Sequence, residues 1–243
     1  LNFLVERIES LDEGYAIYSG SESVSARCVI NCAGLYSDDI SAMVGDDSFK
    51  VHARRGEYML LDRECGDLIS HTVFRCPSKM GKGILVTPTV DGNILLGPTA
   101  EDIDDKTDTK TTQAGLDSIR AKATEQVSGV NLGKVITSFT GVRSSEKNGD
   151  FIIEESKVAK GFINVAGICS PGLTAAPAIG KYVAELLKNS GLKLTENKDY
   201  VSIRKGIENF FTASLDKQQQ LIEENKALKA ELTQKREEQQ PSY

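Results

Sequence analysis

One arginine in this sequence follows a short apolar stretch, in Thr140-Gly141-Val142-Arg143. A guanidinium is a planar fork of N–H donors that can hold a carboxylate or a phosphate through two parallel hydrogen bonds. Arg143 is therefore a candidate clamp for the anionic group of a small substrate. The alternative is a surface ion pair, which is the commoner situation of a lone arginine.

A second segment, Gly167-Ile168-Cys169-Ser170-Pro171-Gly172-Leu173-Thr174, follows an apolar strand pattern and opens the strongest helical pattern of the chain. The first N–H groups of a helix lack partners within the helix and carry partial positive charge, so they suit an electron-rich ligand atom. An ordinary capped helix is the alternative. Small residues continue along the helix and favour a flat group packed against it: Ala175, Ala176, Ala178 and Gly180.

A third segment, Val29-Ile30-Asn31-Cys32-Ala33-Gly34, is an apolar strand that ends in small residues just before a predicted helix. Small residues there let a bulky ligand approach the backbone, and the free N–H groups of the helix start suit a phosphate. A plain tight turn between strand and helix explains the same residues equally well.

The composition is that of an ordinary globular protein, with 243 residues, 40% of them hydrophobic and 26% charged. The net charge of −6 argues against nucleic-acid binding, and no apolar run is long enough to span a bilayer. Two histidines and five cysteines without a CxxC pair give no support for a metal site. The odd number of cysteines and the lack of a signal-peptide pattern predict reduced thiols in a cytoplasmic protein.

The elements that position these segments alternate between strands and helices. Predicted strands, with a hairpin turn at Asp91-Gly92, cover Leu4–Ser10, Gly14–Ser19, Ser23–Asn31, Glu57–Leu61, Ser70–Arg75, Gly83–Thr87, Asn93–Gly97, Lys134–Val142, Asp150–Glu154 and Gly161–Ala166. Predicted helices run from Ser37, as N-cap, to Val44, from Thr111 and Thr112 through Leu116, Ile119 and Ala123, and from Pro171 to Lys188. This order predicts a nucleotide-binding domain in separate segments, with a sheet-based domain inserted between them.

The C-terminal residues, 211–243, differ from the rest. Leu221, Asn225, Leu228 and Leu232 fall at alternating d and a positions of a heptad, within Glu-, Lys- and Gln-rich sequence. Two heptads are marginal for a coiled coil. The tail is therefore predicted either to form a homodimer or to remain a solvated helix.

Taken in order, these segments resemble the D-amino-acid-oxidase-like (DAO-like) superfamily of FAD-dependent oxidoreductases over about residues 1–210. The matching residues are Val29 to Gly34, Arg55-Gly56-Glu57-Tyr58, Pro88, Asp91-Gly92, Gly97-Pro98-Thr99, Gly141-Val142-Arg143 and Gly172-Leu173-Thr174. Within the superfamily, the stretch from Cys76 to Gly83 and the segment 167–174 are most similar to the glycerol-3-phosphate dehydrogenase and L-2-hydroxyglutarate oxidase type.

The resemblance implies an α+β fold. An α/β FAD-binding part comprises residues 1–50 and 143–210, a mixed or antiparallel-sheet substrate-binding domain comprises 51–142, and a helical tail comprises 211–243. The residues implied at FAD are Ala33, Gly34, Ser170, Gly172, Leu173 and Thr174. Those implied at a small anionic substrate are Arg143, Arg55 and Tyr58. No residue is assigned as the catalytic base.

The family's Gly-x-Gly-x-x-Gly turn does not occur in this sequence, so the chain is expected to lack the first βαβ unit of the fold. The implied reaction is hydride transfer from glycerol 3-phosphate or a 2-hydroxy acid to the flavin of FAD in the intact protein. The alternative is a non-catalytic or partner-completed fragment that does not bind FAD alone. The electron acceptor, and with it a peripheral membrane partner, stays open.

Overall fold

A computed structural model of the chain describes residues 2–74, 83–146, 149–203, 206 and 210–238, with only the backbone described for 231–238. It contains two compact units, residues 1–194 and 195–243. The predicted segment from Cys76 to Gly83 lies outside the described residues except for Gly83, as does Arg75 at the end of a predicted strand.

Within its described residues, the first unit contains strands and three α-helices. In chain order the described strands are β1 (Arg7–Ser10), β2 (Tyr15–Ser19), β3 (Glu22–Ala26), β4 (Val29–Asn31), β5 (His52–Leu61), β6 (Val73–Phe74), β7 (Leu85–Pro88), β8 (Ile94–Gly97), β9 (Glu101–Ile103), β10 (Val135–Ser145), β11 (Ile152–Glu155) and β12 (Phe162–Ala166). The helices are α1 (Ser37–Ala42), α2 (Gln113–Gln126) and α3 (Gly172–Asn189).

These strands form three sheets. One is the antiparallel meander β1-β2-β3, and a second has the order β11-β12-β4, in which β12 and β4 are parallel. The largest has the order β10-β5-β8-β7-β6, and β9 pairs with β5 outside that path. The β11-β12-β4 sheet pairs β4, which precedes the strands of the largest sheet in the chain, with β11 and β12, which follow them. The predicted mixed α and β fold is confirmed.

The core of the largest sheet lies between its strands and α2. Ile119 and Ala123, which the sequence placed on one face of α2, are fully buried against Met59, Leu61 and neighbouring apolar side chains. Thr112 caps the helix by accepting a hydrogen bond from the N–H of Gly115. The spacing of apolar residues was therefore sufficient to predict this helix and its buried face.

The strand predicted over Ser23–Asn31 is broken, because β3 ends at Ala26 and β4 begins at Val29 in a different sheet. At Val29 the backbone N–H bonds to the carbonyl of Gly161 and so aligns β4 with β12. Ser37 was predicted as an N-cap, yet Tyr36 occupies that position and Ser37 is the first, fully buried residue of α1.

Strand β9 was not predicted as a strand, since its Glu101 and Asp102 obscure the apolar alternation. Both side chains instead pair with arginines of β5. Among the cysteines, Cys28, Cys32, Cys65 and Cys169 are unpaired, and Cys76 lies outside the described residues.

The second unit contains α4 (Leu215–Glu238). Its continuous helix agrees with the predicted tail, and the side chain of Asn225 bonds to the carbonyl of Leu221 within the helix. In the part of the chain that the structure describes, no helix is long and apolar enough to cross a membrane.

Candidate functional site

Strands β5 and β10 are paired along almost their full length, and their register places the candidate substrate residues. Arg143 lies opposite Arg54, Gly141 opposite Gly56, and Phe139 opposite Tyr58. Side chains two residues apart on a strand point to the same face. Arg143 and Tyr58 therefore share one face of the sheet, whereas Arg55 points to the other.

The guanidinium of Arg143 is only partly satisfied by the protein. Its Nη2 donates to the backbone carbonyl of Thr99 at 3.1 Å. Its Nε is buried and has no hydrogen-bond partner within the described residues. No carboxylate of those residues forms an ion pair with Arg143, so N–H groups of its half-buried guanidinium are available to an anion.

The neighbouring Arg54 is neutralised. Its Nε and Nη2 bond to the two carboxylate oxygens of Asp102 at 2.6 and 3.0 Å. This hydrogen bonding, together with the attraction of the Arg54 charge, lowers the pKa of Asp102 below its ordinary value. The charge of Arg143 contributes to the lowered pKa of Asp102 as well, but within the described residues Arg143 forms no ion pair of its own.

Arg55 is buried on the opposite face, where Nη2 contacts Glu101 at 2.6 Å and Nη1 contacts Asp108 at 2.9 Å. Its Nε lies 3.7 Å from Glu57, which is fully buried. The structure thus gives the guanidinium of Arg55 three carboxylate neighbours and does not bring it together with Arg143.

Tyr58 stacks on Phe139, with ring centroids 5.2 Å apart and an interplanar angle of 13°. Half of Phe139 is exposed. This exposed aromatic pair lies two residues from Gly141 on the strand that carries Arg143, so a cation and an apolar surface adjoin on one sheet face.

The start of α3 lacks a capping side chain. Pro171 occupies the N-cap position without a side-chain hydrogen bond, and Ser170, Leu173 and Thr174 are exposed around it. Gly172 is required by packing, because a Cβ there would lie 2.5 Å from Cγ2 of Ile168. The helix therefore presents its positive end toward solvent without a side-chain cap, although the N–H of Gly172 donates to the carbonyl of Cys169.

A cavity of about 510 Å³ runs along α3 beside β4 and β12. Its walls are almost entirely apolar, and two predicted cofactor residues, Gly34 and Gly172, contribute to them. The lining residues are Ile30, Cys32, Gly34, Val165, Ile168, Gly172, Ala176, Ile179, Gly180, Val183, Ala184 and Leu187. A flat, largely apolar ring system fits the small residues of this wall, and the uncapped helix end suits its electron-rich edge.

A buried polar network, which the sequence reading missed, holds the turn that contains Ala33 and Gly34. Asn31 Nδ2 donates to Asn164 at 2.8 Å and to the carbonyl of Ser37 at 2.8 Å, while its Oδ1 accepts from the N–H of Ala33. Asn164 in turn donates to Ser41 and Asp46. The only sequence signal was the presence of two asparagines in apolar strands, Asn31 at the end of β4 and Asn164 in the middle of β12.

Asp46 anchors the far side of that network. Burial raises the pKa of its carboxyl group, but hydrogen bonds from Ser156, Ser48 and Asn164 outweigh burial and lower the pKa below the ordinary value. Asp46 is therefore held as an anion that accepts these bonds.

The two candidate regions are joined by a hydrogen bond beside Arg143. Ser144 Oγ donates to the backbone carbonyl of Ile168 at 3.2 Å, in the loop that leads into α3.

Among the described residues, no group of His, Cys, Asp and Glu side chains could hold a metal ion.

The residues from 3 to 186 match the family model described as DAO: FAD dependent oxidoreductase. The chain belongs to this family. Its members are oxidoreductases that depend on FAD, and the apolar cavity and uncapped helix agree with that cofactor class.

Named relatives agree with the family assignment. The chain is 46% identical over 219 residues to a glycerol 3-phosphate dehydrogenase of Caloramator mitchellensis, covering 90% of this chain and 46% of the relative. It is 33% identical over 198 residues to a glycerol 3-phosphate oxidase of Mycoplasma pneumoniae, covering 79% of this chain and 50% of the relative. The chain thus spans about half the length of these curated relatives.

A solved structure is similar as well. The dithionite-reduced L-alpha-glycerophosphate oxidase from Mycoplasma pneumoniae with FAD bound superposes with a TM-score of 0.72 at 33% identity, covering 80% of this chain and 52% of that chain. This similarity confirms the predicted DAO-like fold.

Proposed function

We propose that this chain carries the substrate-anion clamp and the flavin-facing helix of an FAD-dependent dehydrogenase or oxidase that acts on glycerol 3-phosphate or a 2-hydroxy acid. The observation that carries the proposal is Arg143, whose guanidinium has a buried, unpartnered Nε and no ion pair within the described residues. A phosphate or a carboxylate would accept from the remaining N–H groups of this half-buried guanidinium.

In this proposal Arg143 fixes the anionic end of the substrate and so orients its hydroxyl-bearing carbon. Oxidation of the alcohol to a ketone removes a hydride from that carbon and a proton from its hydroxyl. FAD, when bound, supplies the acceptor for the hydride. The link from Ser144 to Ile168 keeps the strand of Arg143 in a fixed position relative to the start of α3.

The residues proposed to face FAD are Ala33, Gly34, Ser170, Gly172, Leu173 and Thr174. Gly34 and Gly172 line the apolar cavity, and the exposed start of α3 supplies free N–H groups for negative charge on the cofactor. Tyr58 is proposed to contact substrate beside Arg143. For Arg55 we propose a supporting role through its carboxylate partners.

The second candidate function is a fragment that binds FAD only when further polypeptide completes it. Two observations favour it: β4 is the edge strand of the β11-β12-β4 sheet, and Ile30 on that strand is half exposed beside the apolar cavity. No Gly-rich dinucleotide-binding turn is encoded in the sequence to hold the adenine end of FAD.

Flavin titration separates the two candidates. FAD is added to the purified chain, and binding is followed by quenching of flavin fluorescence and by the visible absorption spectrum. Saturable binding that Gly180→Leu weakens, because the leucine fills the cavity, supports the first candidate. Binding that requires an added polypeptide supports the second.

Substitution of Arg143 tests the clamp. Arg143→Met should weaken the binding of glycerol 3-phosphate by about 1.5–3 kcal/mol, the usual contribution of a charged hydrogen bond. Arg120→Met, which removes an exposed helix ion pair with Asp117, is the matched control. Equal affinities in both variants would remove Arg143 from the substrate site.

The remaining partners are proposals of the same kind. We propose a peripheral membrane or electron-acceptor partner, a homodimer through α4, and a cytoplasmic location. Sedimentation of the chain with and without residues 211–243 measures whether the helix pairs two copies.

A further inference from the structure

We propose that Gly141 forms the floor of a slot that limits the length and branching of the substrate's carbon chain. The inference rests on the proposed anion clamp at Arg143 and adds a specificity determinant to it. The slot lies on the face of the β5–β10 pair that carries Arg143, with the aromatic pair of Tyr58 and Phe139 at its other end.

The space above Gly141 is open. No heavy atom of the protein lies within 4 Å of the position that a Cβ would occupy there. Its cross-strand partner Gly56 is covered, since a Cβ at that residue would lie 3.1 Å from Pro98 Cβ, 3.3 Å from the carbonyl oxygen of Thr99 and 3.4 Å from Arg143 Nη2. Gly56 therefore lets the guanidinium of Arg143 approach the sheet, and Gly141 leaves open space beside that guanidinium.

The ends of the slot differ in chemistry. The guanidinium of Arg143 lies over Gly56 at one end, and the stacked rings of Tyr58 and Phe139 lie at the other. The Tyr58 ring is confined, because a Cβ at Gly97 would lie 2.7 Å from its Cδ1. A ligand that fits both ends has an anionic group and a compact carbon body.

The strand spacing sets the length of that body. Residues two apart on a strand are separated by about 6.6 Å, twice the rise per residue. The distance from the floor of the slot to the aromatic pair therefore accommodates a short, unbranched, hydroxylated chain. A longer or branched chain meets the rings, and any side chain at position 141 fills the floor.

The substitution Gly141→Val tests the slot. Gly141 is not in the left-handed region of backbone conformation, and valine is favoured in strands, so the sheet accepts the change. Binding of inorganic phosphate and of glycerol 3-phosphate is followed by NMR chemical-shift titration of the full chain. The affinity of the variant for phosphate should stay within about twofold of that of the wild type. Its affinity for glycerol 3-phosphate should be at least about tenfold weaker, a change that corresponds to ~1.4 kcal/mol in binding free energy.

Thr137→Val is the matched control, because Thr137 is an exposed residue of the same strand beyond the aromatic pair. It should change neither affinity. If Gly141→Val binds glycerol 3-phosphate as tightly as the wild type, the slot is wrong while the clamp stands. If the wild type binds neither ligand, or if Arg143→Met binds phosphate with the affinity of the wild type, the anion site at Arg143 is contradicted. The slot at Gly141, which depends on that site, is then contradicted as well.

Discussion

Ser144, on strand β10 of the largest sheet, donates a hydrogen bond from its hydroxyl to the backbone carbonyl of Ile168, 3.2 Å away in the loop after strand β12 of another sheet. Ser144 follows Arg143 on β10, and Ile168 precedes the start of α3. This single contact fixes the strand that holds the proposed anion clamp to the loop that opens the proposed flavin-facing helix.

Removal of the Ser144 hydroxyl should lower the free energy of unfolding by about 1 kcal/mol, because the carbonyl of Ile168 loses its donor in a partly buried position. Ser145→Ala is the control. Its hydroxyl also donates to a backbone carbonyl at 3.2 Å, that of His52, but at an exposed site. Urea unfolding measures both, and equal losses in the two variants would contradict a special role for the Ser144 contact.

The glycine at position 115 should be essential for packing, although glycine normally weakens a helix. A Cβ at Gly115 would lie 2.4 Å from the carboxylate of Glu57, which is fully buried and accepts hydrogen bonds from the N–H and hydroxyl of Thr112. Gly115→Ala should therefore destabilise the protein by about 1–3 kcal/mol.

Gly180→Ala is the same substitution at another helical position, and it should change stability in the opposite direction. No heavy atom lies within 4 Å of a Cβ at Gly180 in α3, so alanine should stabilise the helix by about 0.5–1 kcal/mol. Thermal unfolding of both variants measures whether each substitution raises or lowers the stability of the protein. A stabilised Gly115→Ala variant would show that Glu57 moves freely.

An ion pair between the loop after β9 and α1 should make stability depend on acid pH. Lys106 Nζ lies 2.9 Å from both Asp38 and Asp39. Burial raises the pKa of Asp38, but the hydrogen bond from Lys106, a backbone N–H of Val51 and the lysine charge together lower it below the ordinary value. Asp38 therefore stabilises the fold above its unfolded pKa of about 3.9, and this stabilisation is lost as pH falls through the folded pKa.

Lys106→Met should cost about 1.5–3 kcal/mol at pH 7. Its difference from the wild type should shrink as the pH falls from about 4 through the lowered pKa of folded Asp38, since protonation of that carboxylate removes its attraction to Lys106. Lys50→Met, which removes an exposed pair with Asp47, should be neutral at every pH. A Lys106→Met deficit that stays constant down to pH 2 would argue against this assignment.

Asn31 should matter for flavin as well as for stability. Asn31→Ala frees the N–H of Ala33 and the carbonyl of Ser37, which the amide holds on either side of the turn at Gly34. FAD affinity and unfolding free energy should both fall. Asn93→Ala removes a comparable amide bond to the carbonyl of Leu61 in the other sheet, so it should lower stability and leave FAD affinity unchanged.

Local patterns predicted the elements well where one face is apolar. The face of α2, the hairpin at Asp91-Gly92 and helix α3 all follow from spacing and turn residues that act over a few positions. The break between β3 and β4 could not be predicted in this way. It depends on which sheet each half joins, and the partner of β4 lies far along the chain.

In the candidate site, too, local sequence patterns predicted some features, whereas others depend on the three-dimensional arrangement. Arg143 was predicted from its position at the end of a strand, but its unpartnered Nε becomes visible only in three dimensions. Arg55 occupies an equally suggestive sequence position, yet it belongs to the opposite sheet face and is surrounded by Glu57, Glu101 and Asp108. A side chain's face depends on strand register, which the sequence does not specify.

The side-chain bond between Asn31 and Asn164 spans 133 residues of chain. Closing so long a loop is entropically costly, whereas the hairpins of the largest sheet close short ones. We therefore expect the β7–β8 hairpin of that sheet to form early in folding and the β4–β12 pair to form late. Asn164→Ala should accordingly accelerate unfolding while leaving the refolding rate nearly unchanged, as stopped-flow kinetics can measure.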